Sequence, residues 1–211
     1  GYNGNGMYVT SSSRNSYFNT TISTSGTYAH GIYTNSNYNN FSNNNITVSG
    51  GTGTIGFYLN SASYNIVNGG SVISNLGNDY YLQNAGTTNS YANTNFTTRK
   101  IYLNDNNSSF NYNKETNGGV WLNTIQATSP SASLRITRTL INWTQTNVSW
   151  QETLTSSRRL NYNINGLLAN TNYEVWNGTV IAYNLITDNN GNLPVFDINF
   201  TTSAKVIKVI P

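Results

Sequence analysis

The chain has 211 residues, which is enough for one large or two ordinary domains. Only 8% of the residues are charged and 16 are Tyr, a composition that excludes solvated disorder, because disorder requires high net charge and few aromatic residues. The net charge of +3 comes from dispersed basic residues, so no basic stripe indicates nucleic-acid binding, and the absence of cysteine excludes disulfides and thiolate metal sites.

The first half of the chain repeats every 24 to 26 residues. Each repeat has an Asn, a large apolar residue two places later, and another apolar residue five places after that. The four repeats are Asn15, Tyr17, Ile22; Asn39, Phe41, Ile46; Asn65, Val67, Val72; and Asn89, Tyr91, Phe96. A second marker, Gly-x-Tyr or a looser form of it, keeps the same phase and ends at Tyr8, Tyr33, Tyr58, Tyr81 and Tyr102. A period of this length is typical of repeat architectures.

Each repeat contains three short apolar stretches bounded by Asn, Gly, Ser and Thr, which predicts strands. Three such strands cannot bury a face alone, but stacked coils can. We therefore predict an all-β fold that begins with a right-handed parallel β-helix of about four to five coils over residues 1–117. The alternative is a prion-like Asn/Tyr/Gly segment that forms cross-β stacks, but the regular apolar placement favours the folded solenoid.

The phase of the Asn residues predicts a specific role. An Asn at an inward turn can bond to the equivalent Asn of the next coil and satisfy backbone groups of the turn. We predict that Asn15, Asn39, Asn65 and Asn89 form an internal ladder. The alternative is that they are ordinary loop residues in an Asn-rich chain.

The period ends near residue 105, and the polar segment 105–119 follows. After it, longer alternating segments predict antiparallel strands, and a turn is predicted at 188–191. The predicted strands are 120–123, 134–140, 148–154, 160–164, 173–176, 180–187, 195–200 and 206–210. This number of short strands predicts a β-sandwich domain over residues 118–211.

The segment from Gly166 to Tyr173 resembles the Gly-Leu-x-Pro-x-Thr-x-Tyr motif of fibronectin type III domains, with Ala169 in place of the usual Pro. The resemblance implies an Ig-like sandwich in which Tyr173 forms a tyrosine corner, its hydroxyl bonding back to the backbone. Trp143 and Trp150 are both candidates for the core Trp of an early strand.

The repeats also resemble secreted archaeal and bacterial surface proteins with Asn-rich right-handed β-helix repeats, whose coils read Gly-Ile-Tyr-Leu followed by Ser/Asn runs. The segments that carry this resemblance are 31–37 and 56–63. It covers roughly residues 1–105, is specific for fold rather than for function, and implies an extracellular or cell-surface setting.

The sequence contains little catalytic chemistry. β-Helix carbohydrate enzymes need clustered carboxylates, but only Asp79 and Asp105 lie in or beside the solenoid, at positions that should not stack. His30, the only histidine, is expected in a solvated turn. We therefore expect no catalytic residue, no metal site and no cofactor. The five marker Tyr residues are expected to stack on one another, the alternative being an exposed sugar-binding ladder.

Ten Asn-x-Ser/Thr sequons permit N-glycosylation if the protein is exported. They begin at Asn19, Asn40, Asn45, Asn95, Asn106, Asn107, Asn142, Asn147, Asn177 and Asn199. No stretch approaches the roughly 20 apolar residues of a membrane span.

These features predict a non-enzymatic structural subunit of an extracellular filament, sheath or surface layer, in which copies of the chain join by β-strand contacts. The first coil offers unpaired strand edges, and low charge gives little repulsion. We expect strand 205–210 of a neighbour to pair with that coil. A competing explanation is that further coils precede Gly1. The alternative functions are a glycan-binding adhesin that uses Tyr33 and Tyr58, and a β-helix polysaccharide lyase or epimerase.

Overall fold

The computed structural model describes residues 4–85, 88–114, 119–127 and 133–211, and the regular structure in these ranges is β-strand. The strands of the first part are β1 (Asn5–Val9), β2 (Ser16–Phe18), β3 (Thr21–Ser25), β4 (His30–Thr34), β5 (Asn40–Ser42), β6 (Asn45–Ser49), β7 (Ile55–Asn60), β8 (Ile66–Asn68), β9 (Ser71–Ser74), β10 (Asn78–Gln83), β11 (Ser90–Ala92), β12 (Thr98–Leu103) and β13 (Ser109–Asn113). Those of the second part are β14 (Trp121–Gln126), β15 (Leu134–Thr144), β16 (Asn147–Leu154), β17 (Arg158–Asn165), β18 (Asn172–Asn177), β19 (Val180–Ile186), β20 (Phe196–Phe200) and β21 (Lys205–Ile210).

The strands form three sheets, and the all-β prediction is confirmed. The ten-stranded sheet has the order β1-β4-β7-β10-β12-β15-β16-β21-β18-β19, the eight-stranded sheet β2-β5-β8-β11-β13-β14-β17-β20, and the three-stranded sheet β3-β6-β9. Strands β1 to β13 pair in parallel and make a β-solenoid of about four turns. Its right-handed sense stays a prediction.

The repeat markers lie in register on successive coils. Tyr8 pairs with Tyr33, and the same column continues through the marker Tyr residues of the next coils. The marker Gly has a steric reason, because a Cβ at Gly31 would lie 2.2 Å from Ile46 Cγ2 and 2.5 Å from the Gly56 carbonyl oxygen. The close approach of neighbouring coils at this corner therefore requires glycine.

Both large sheets continue from the solenoid into the second part, where pairing becomes antiparallel. The change occurs between β12 and β15 in one sheet and between β13 and β14 in the other, as in the pairs Ile101 with Ile136 and Tyr112 with Leu122. One hydrophobic core runs from Val9 to Val209. The predicted domain boundary at 117 and 118 lies outside the described residues.

Two local features differ from the sequence reading. The polar segment 105–119 contains β13, whose Phe110 and Tyr112 are fully buried because alternation within the strand places both on its inner face. In the fourth coil, the described residues 93–97 form no third strand. Phe96 lies in this loop, and its ring centroid is 4.7 Å from that of Tyr112.

Candidate functional site

The four repeat Asn residues occupy one corner of the solenoid and bond from coil to coil. The backbone N–H of Asn15 donates to Asn39 Oδ1 at 3.1 Å, that of Asn39 to Asn65 Oδ1 at 2.9 Å, and that of Asn65 to Asn89 Oδ1 at 2.9 Å. The Asn65 amide also donates to the Ser36 carbonyl at 2.9 Å. Asn39, Asn65 and Asn89 are buried. The Asn39 and Asn65 amides thus saturate backbone groups of their own turn and of the neighbouring coil.

A second Asn position, which the sequence analysis missed, does the same work at the next corner. Asn44 is buried, its Oδ1 accepts from the Thr20 N–H at 3.0 Å, and its amide donates to the Tyr17 carbonyl at 3.0 Å. The signal was a column of left-handed residues one place earlier, at Asn19, Asn43, Gly69 and Asn93. Asn and Gly tolerate that conformation, so their recurrence marks the corner.

The marker Tyr residues form a column on the outer side of the ten-stranded sheet. Tyr8 stacks on Tyr33 with ring centroids 4.8 Å apart, Tyr33 meets Tyr58 edge to face at 5.0 Å, and the Tyr81 ring stacks on Tyr102 at 4.6 Å. Desolvation by burial, followed by the neighbouring Tyr rings, raises the pKa of Tyr81 to about 12. The faces of these rings are largely covered by neighbouring Tyr rings, whereas stacking on a sugar needs an uncovered ring face.

A shallow depression of about 570 Å³ lies beside the first column positions. It is lined by Asn5, Tyr8, Tyr28, His30 and Tyr33. Tyr8 and Tyr28 are more than half exposed. His30 begins strand β4 instead of lying in a solvated turn, because its backbone N–H bonds to the Gly4 carbonyl of the coil before it. Burial lowers the pKa of His30 below its usual value.

The two acids in or beside the solenoid, Asp79 and Asp105, both accept hydrogen bonds from backbone N–H groups. Asp79 accepts from the Ser74 N–H at 2.7 Å and the Lys100 N–H at 2.8 Å, and burial raises its pKa despite these bonds. Asp105 accepts from the Asn84 N–H at 2.6 Å and the Ser108 N–H at 2.7 Å. Both carboxylates therefore tie a turn to the next coil. Within the described ranges, no group of three or more His, Asp or Glu residues could hold a metal ion.

A buried ionic cluster joins the two large sheets, and sequence reasoning missed it. Arg138 on β15 and Glu152 on β16 are fully buried, and Arg138 Nε donates to Glu152 at 2.5 Å. Tyr162 on β17 donates its hydroxyl to the other Glu152 oxygen, and Arg138 also donates to Thr124 Oγ1 on β14 at 2.7 Å. The signal was the alternation of Leu134 and Ile136, which places Arg138 on the same inner face.

Tyr173 is the second residue of β18 and is fully buried. Its hydroxyl donates to the Gln145 carbonyl at 2.6 Å and accepts from the Leu168 N–H at 3.1 Å, five residues upstream. The tyrosine therefore ties the turn before β18 to the turn between β15 and β16. Both candidate core Trp residues are buried, and Trp150 packs against the Tyr162 ring at 5.4 Å.

Four strands lie at the edges of the large sheets among the described residues: β1 and β19 in the ten-stranded sheet, and β2 and β20 in the eight-stranded one. The expected donor strand, 205–210, is not among them. It is β21, which pairs antiparallel with β16 on one side and β18 on the other. The expectation that this strand extends a neighbour's first coil is therefore wrong, because its backbone groups are already paired within its own sheet.

No protein-family model matches this chain, and neither a curated protein nor a solved structure matches it.

The sequon Asn residues all reach solvent to some degree. Seven are exposed and three, Asn106, Asn147 and Asn177, are half-buried. The described part of the chain contains no helix that could cross a membrane.

Proposed function

We propose that this protein is a non-enzymatic structural subunit of an extracellular filament, sheath or surface layer, in which copies of the chain join through β-strand contacts. One observation carries the proposal: β19 is an edge strand with no charge and an apolar surface. Val180 is 65% exposed, Ile186 64% and Ile181 40%. Edge strands of monomeric proteins usually carry Lys or Pro, which prevent pairing with other chains. The sequence of β19, from Val180 to Ile186, has neither.

Further features support this role. Only 8% of the residues are charged, so copies repel one another weakly. The carboxylates of Asp79 and Asp105 are engaged with backbone N–H groups, which favours a structural use of the solenoid over carbohydrate chemistry. The resemblance to secreted surface proteins and the solvent-accessible sequons support an extracellular setting. The hydrogen bonds of Tyr173 support a fibronectin type III-like second part.

Imaging tests the proposal. The 211-residue protein and an Ile186→Lys variant are compared by negative-stain electron microscopy and by static light scattering over a range of concentrations. We expect regular assemblies from the protein and their loss in the variant, because a Lys on the edge strand must be desolvated when a second chain pairs with it.

The matched control is Leu76→Lys, which places the same charge at an equally exposed apolar residue, 58% accessible, in a solenoid loop. It should assemble like the unmodified protein. If the unmodified protein stays monomeric at every concentration, the proposal is refuted.

The second candidate function, glycan binding, is favoured by the depression next to Tyr8 and Tyr28. Their exposed rings, with Asn5 and His30 beside them, combine an aromatic platform with polar groups. A glycan array probed with the protein and with Tyr28→Ala tests it. Binding that is lost in this variant and kept in Tyr64→Ala, an equally exposed Tyr elsewhere on the solenoid, would support an adhesin.

A further inference from the structure

The two edges of the ten-stranded sheet run in opposite directions. Strands β1, β4, β7, β10 and β12 are parallel to one another, and each of the next five strands in the sheet reverses the direction of the one before it. Five reversals leave β19 antiparallel to β1. A further coil stacked in parallel on β1 would run in the same direction as β1. The edge strand of the solenoid would therefore still be antiparallel to β19.

This relation decides what happens when copies stack in one orientation. The β19 edge of one copy then meets the solenoid edge of the next as an antiparallel pair, the pairing that is slightly more stable per residue. A contact between unlike edges is heterologous, and when it does not close into a ring it propagates.

The side chains at the two edges also match. On the inner face, Met7 of β1 and Tyr183 and Leu185 of β19 pack against the core but remain only partly buried. On the outer face, Tyr8 and Ile186 are largely exposed. Joining the edges would continue the core from one copy to the next, and it would bury both the inner-face and the outer-face side chains of these two strands. Neither strand contains a charged residue that would have to be desolvated.

The eight-stranded sheet is less suited to such a junction. Its edge strand β20 carries Asp197, whose carboxylate lies 3.9 Å from Arg159 at the surface. The opposite edge, β2, has only three residues. Charge and short length are both features that protect sheet edges from pairing.

We propose that copies of this chain join head to tail by antiparallel pairing of β19 with β1 of the next copy. The regular part of β19 that is available for pairing is Tyr183–Ile186, because a register shift opposite Val175 and Trp176 interrupts its pairing with β18. The inference rests on the proposed self-assembly and assigns its junction.

Disulfide trapping tests the junction, and the chain is suited to it because it has no cysteine of its own. Three single-cysteine proteins, Tyr8→Cys, Asn184→Cys and Ile186→Cys, are prepared, and Tyr8→Cys is mixed with each of the other two under mild oxidation. The products are separated by non-reducing gel electrophoresis and identified by mass spectrometry, while electron microscopy records assembly in the same samples. A disulfide requires Cα atoms within about 7 Å, so only edges that are paired will be trapped.

We expect the mixed Tyr8→Cys dimer with at least one of the β19 variants to exceed each homodimer at least fivefold. A mixture of Tyr8→Cys with Leu76→Cys is the control and should give no such excess. Homodimers of Ile186→Cys alone would show that two β19 strands pair with each other, and assemblies without an excess of mixed dimer would place the junction elsewhere; either result overturns the inference and leaves self-assembly standing. Absence of assemblies would overturn both.

Discussion

At the scale of single residues, the corners of the solenoid explain why the chain is so rich in Asn. Each turn leaves backbone groups pointing inward, and a buried group without a bond costs about 1–3 kcal/mol. An Asn amide supplies both a donor and an acceptor, so one side chain can saturate groups of its own coil and of the neighbouring one. The Asn65 amide donates to the Ser63 carbonyl of its own coil and the Ser36 carbonyl of the coil before it, and Asn65 Oδ1 accepts from the Asn39 N–H. The residue before the ladder Asn is left-handed in three coils, at Arg14, Tyr38 and Tyr64.

The ladder gives a mutational prediction. Asn65→Ala should lower the free energy of unfolding by about 2–4 kcal/mol, because it leaves the Asn39 N–H and the Ser36 carbonyl buried without a bond. Asn35→Ala, at an exposed Asn of the same solenoid, is the control and should change stability by less than about 0.5 kcal/mol. Urea unfolding followed by circular dichroism measures both. Equal effects of the two variants would contradict the structural role of the ladder.

His30 gives a prediction for pH dependence. Burial lowers the pKa of its imidazole, so protonation favours the unfolded chain. The stability that this residue contributes is present above pH 6.5 and is lost as the pH falls through the lowered folded value. Because the chain has one histidine, an NMR titration reads the pKa of His30 without assignment, and a value of 6.5 or above would contradict the burial. In His30→Gln, this part of the pH dependence should disappear.

At the scale of elements, the position of β21 changes what a truncation does. The strand lies between β16 and β18, and Ile207 and Val209 are fully buried in the core. Removing it would unpair both neighbours and uncover the inner face of the sheet. A shortened protein that fails to assemble would therefore say nothing about contacts between copies.

Deletion of residues 205–211 should accordingly unfold the second part of the protein. We expect loss of the near-ultraviolet circular dichroism of the buried Trp150 and rapid proteolysis between residues 133 and 200. A truncated protein with the near-ultraviolet spectrum and the melting temperature of the full chain would contradict the central position of β21.

The buried pair of Arg138 and Glu152 is the other element-scale contact. The two residues lie on neighbouring strands of the ten-stranded sheet, and their further hydrogen bonds reach β14 and β17 of the eight-stranded sheet. Glu152→Gln should lower the free energy of unfolding by about 3–5 kcal/mol, because the guanidinium stays buried without its counter-charge. The exposed pair of Arg159 and Asp197 provides the control, and Asp197→Asn should cost less than about 1 kcal/mol. Thermal unfolding measures both, and similar losses in the two variants would show that burial of the first pair adds nothing.

At the scale of the whole molecule, continuity of the sheets is the main feature. The ladders β12·β15 and β13·β14 carry hydrogen bonds from the solenoid to the antiparallel second part, and the core crosses the same place without interruption. The two parts should therefore stabilise each other and unfold together.

The distribution of Trp makes this testable, because all four Trp residues, at 121, 143, 150 and 176, lie in the second part. Trp fluorescence then reports the second part alone, while far-ultraviolet circular dichroism reports both parts. We expect the two urea transitions to coincide. Fluorescence and circular dichroism midpoints that differ by more than the fitting error would show two independently unfolding domains.

The solenoid could be predicted from the sequence because its period is imposed residue by residue: four corners carry an Asn, the first three coils carry a marker Gly, and every coil has inward apolar residues. The sequence also indicated the strands that the structure describes in the second part, several of them by alternation, although their order stayed open. Strand β13 could not be predicted, because two inward aromatic residues in a polar segment are a weak local signal. The partner of Arg138 could not be predicted either, because it lies on a different strand.

The position of each strand across the sheets comes from tertiary contacts. Residues 205–210 read as a strand in either position, at an edge or in the middle, because both positions allow the same alternation of apolar and polar side chains. Pairing with β16 and β18 places it inside, and β19 is then the edge strand on that side of the ten-stranded sheet. The choice depends on contacts between residues that are far apart in sequence, and these determine which edges are left open to another chain.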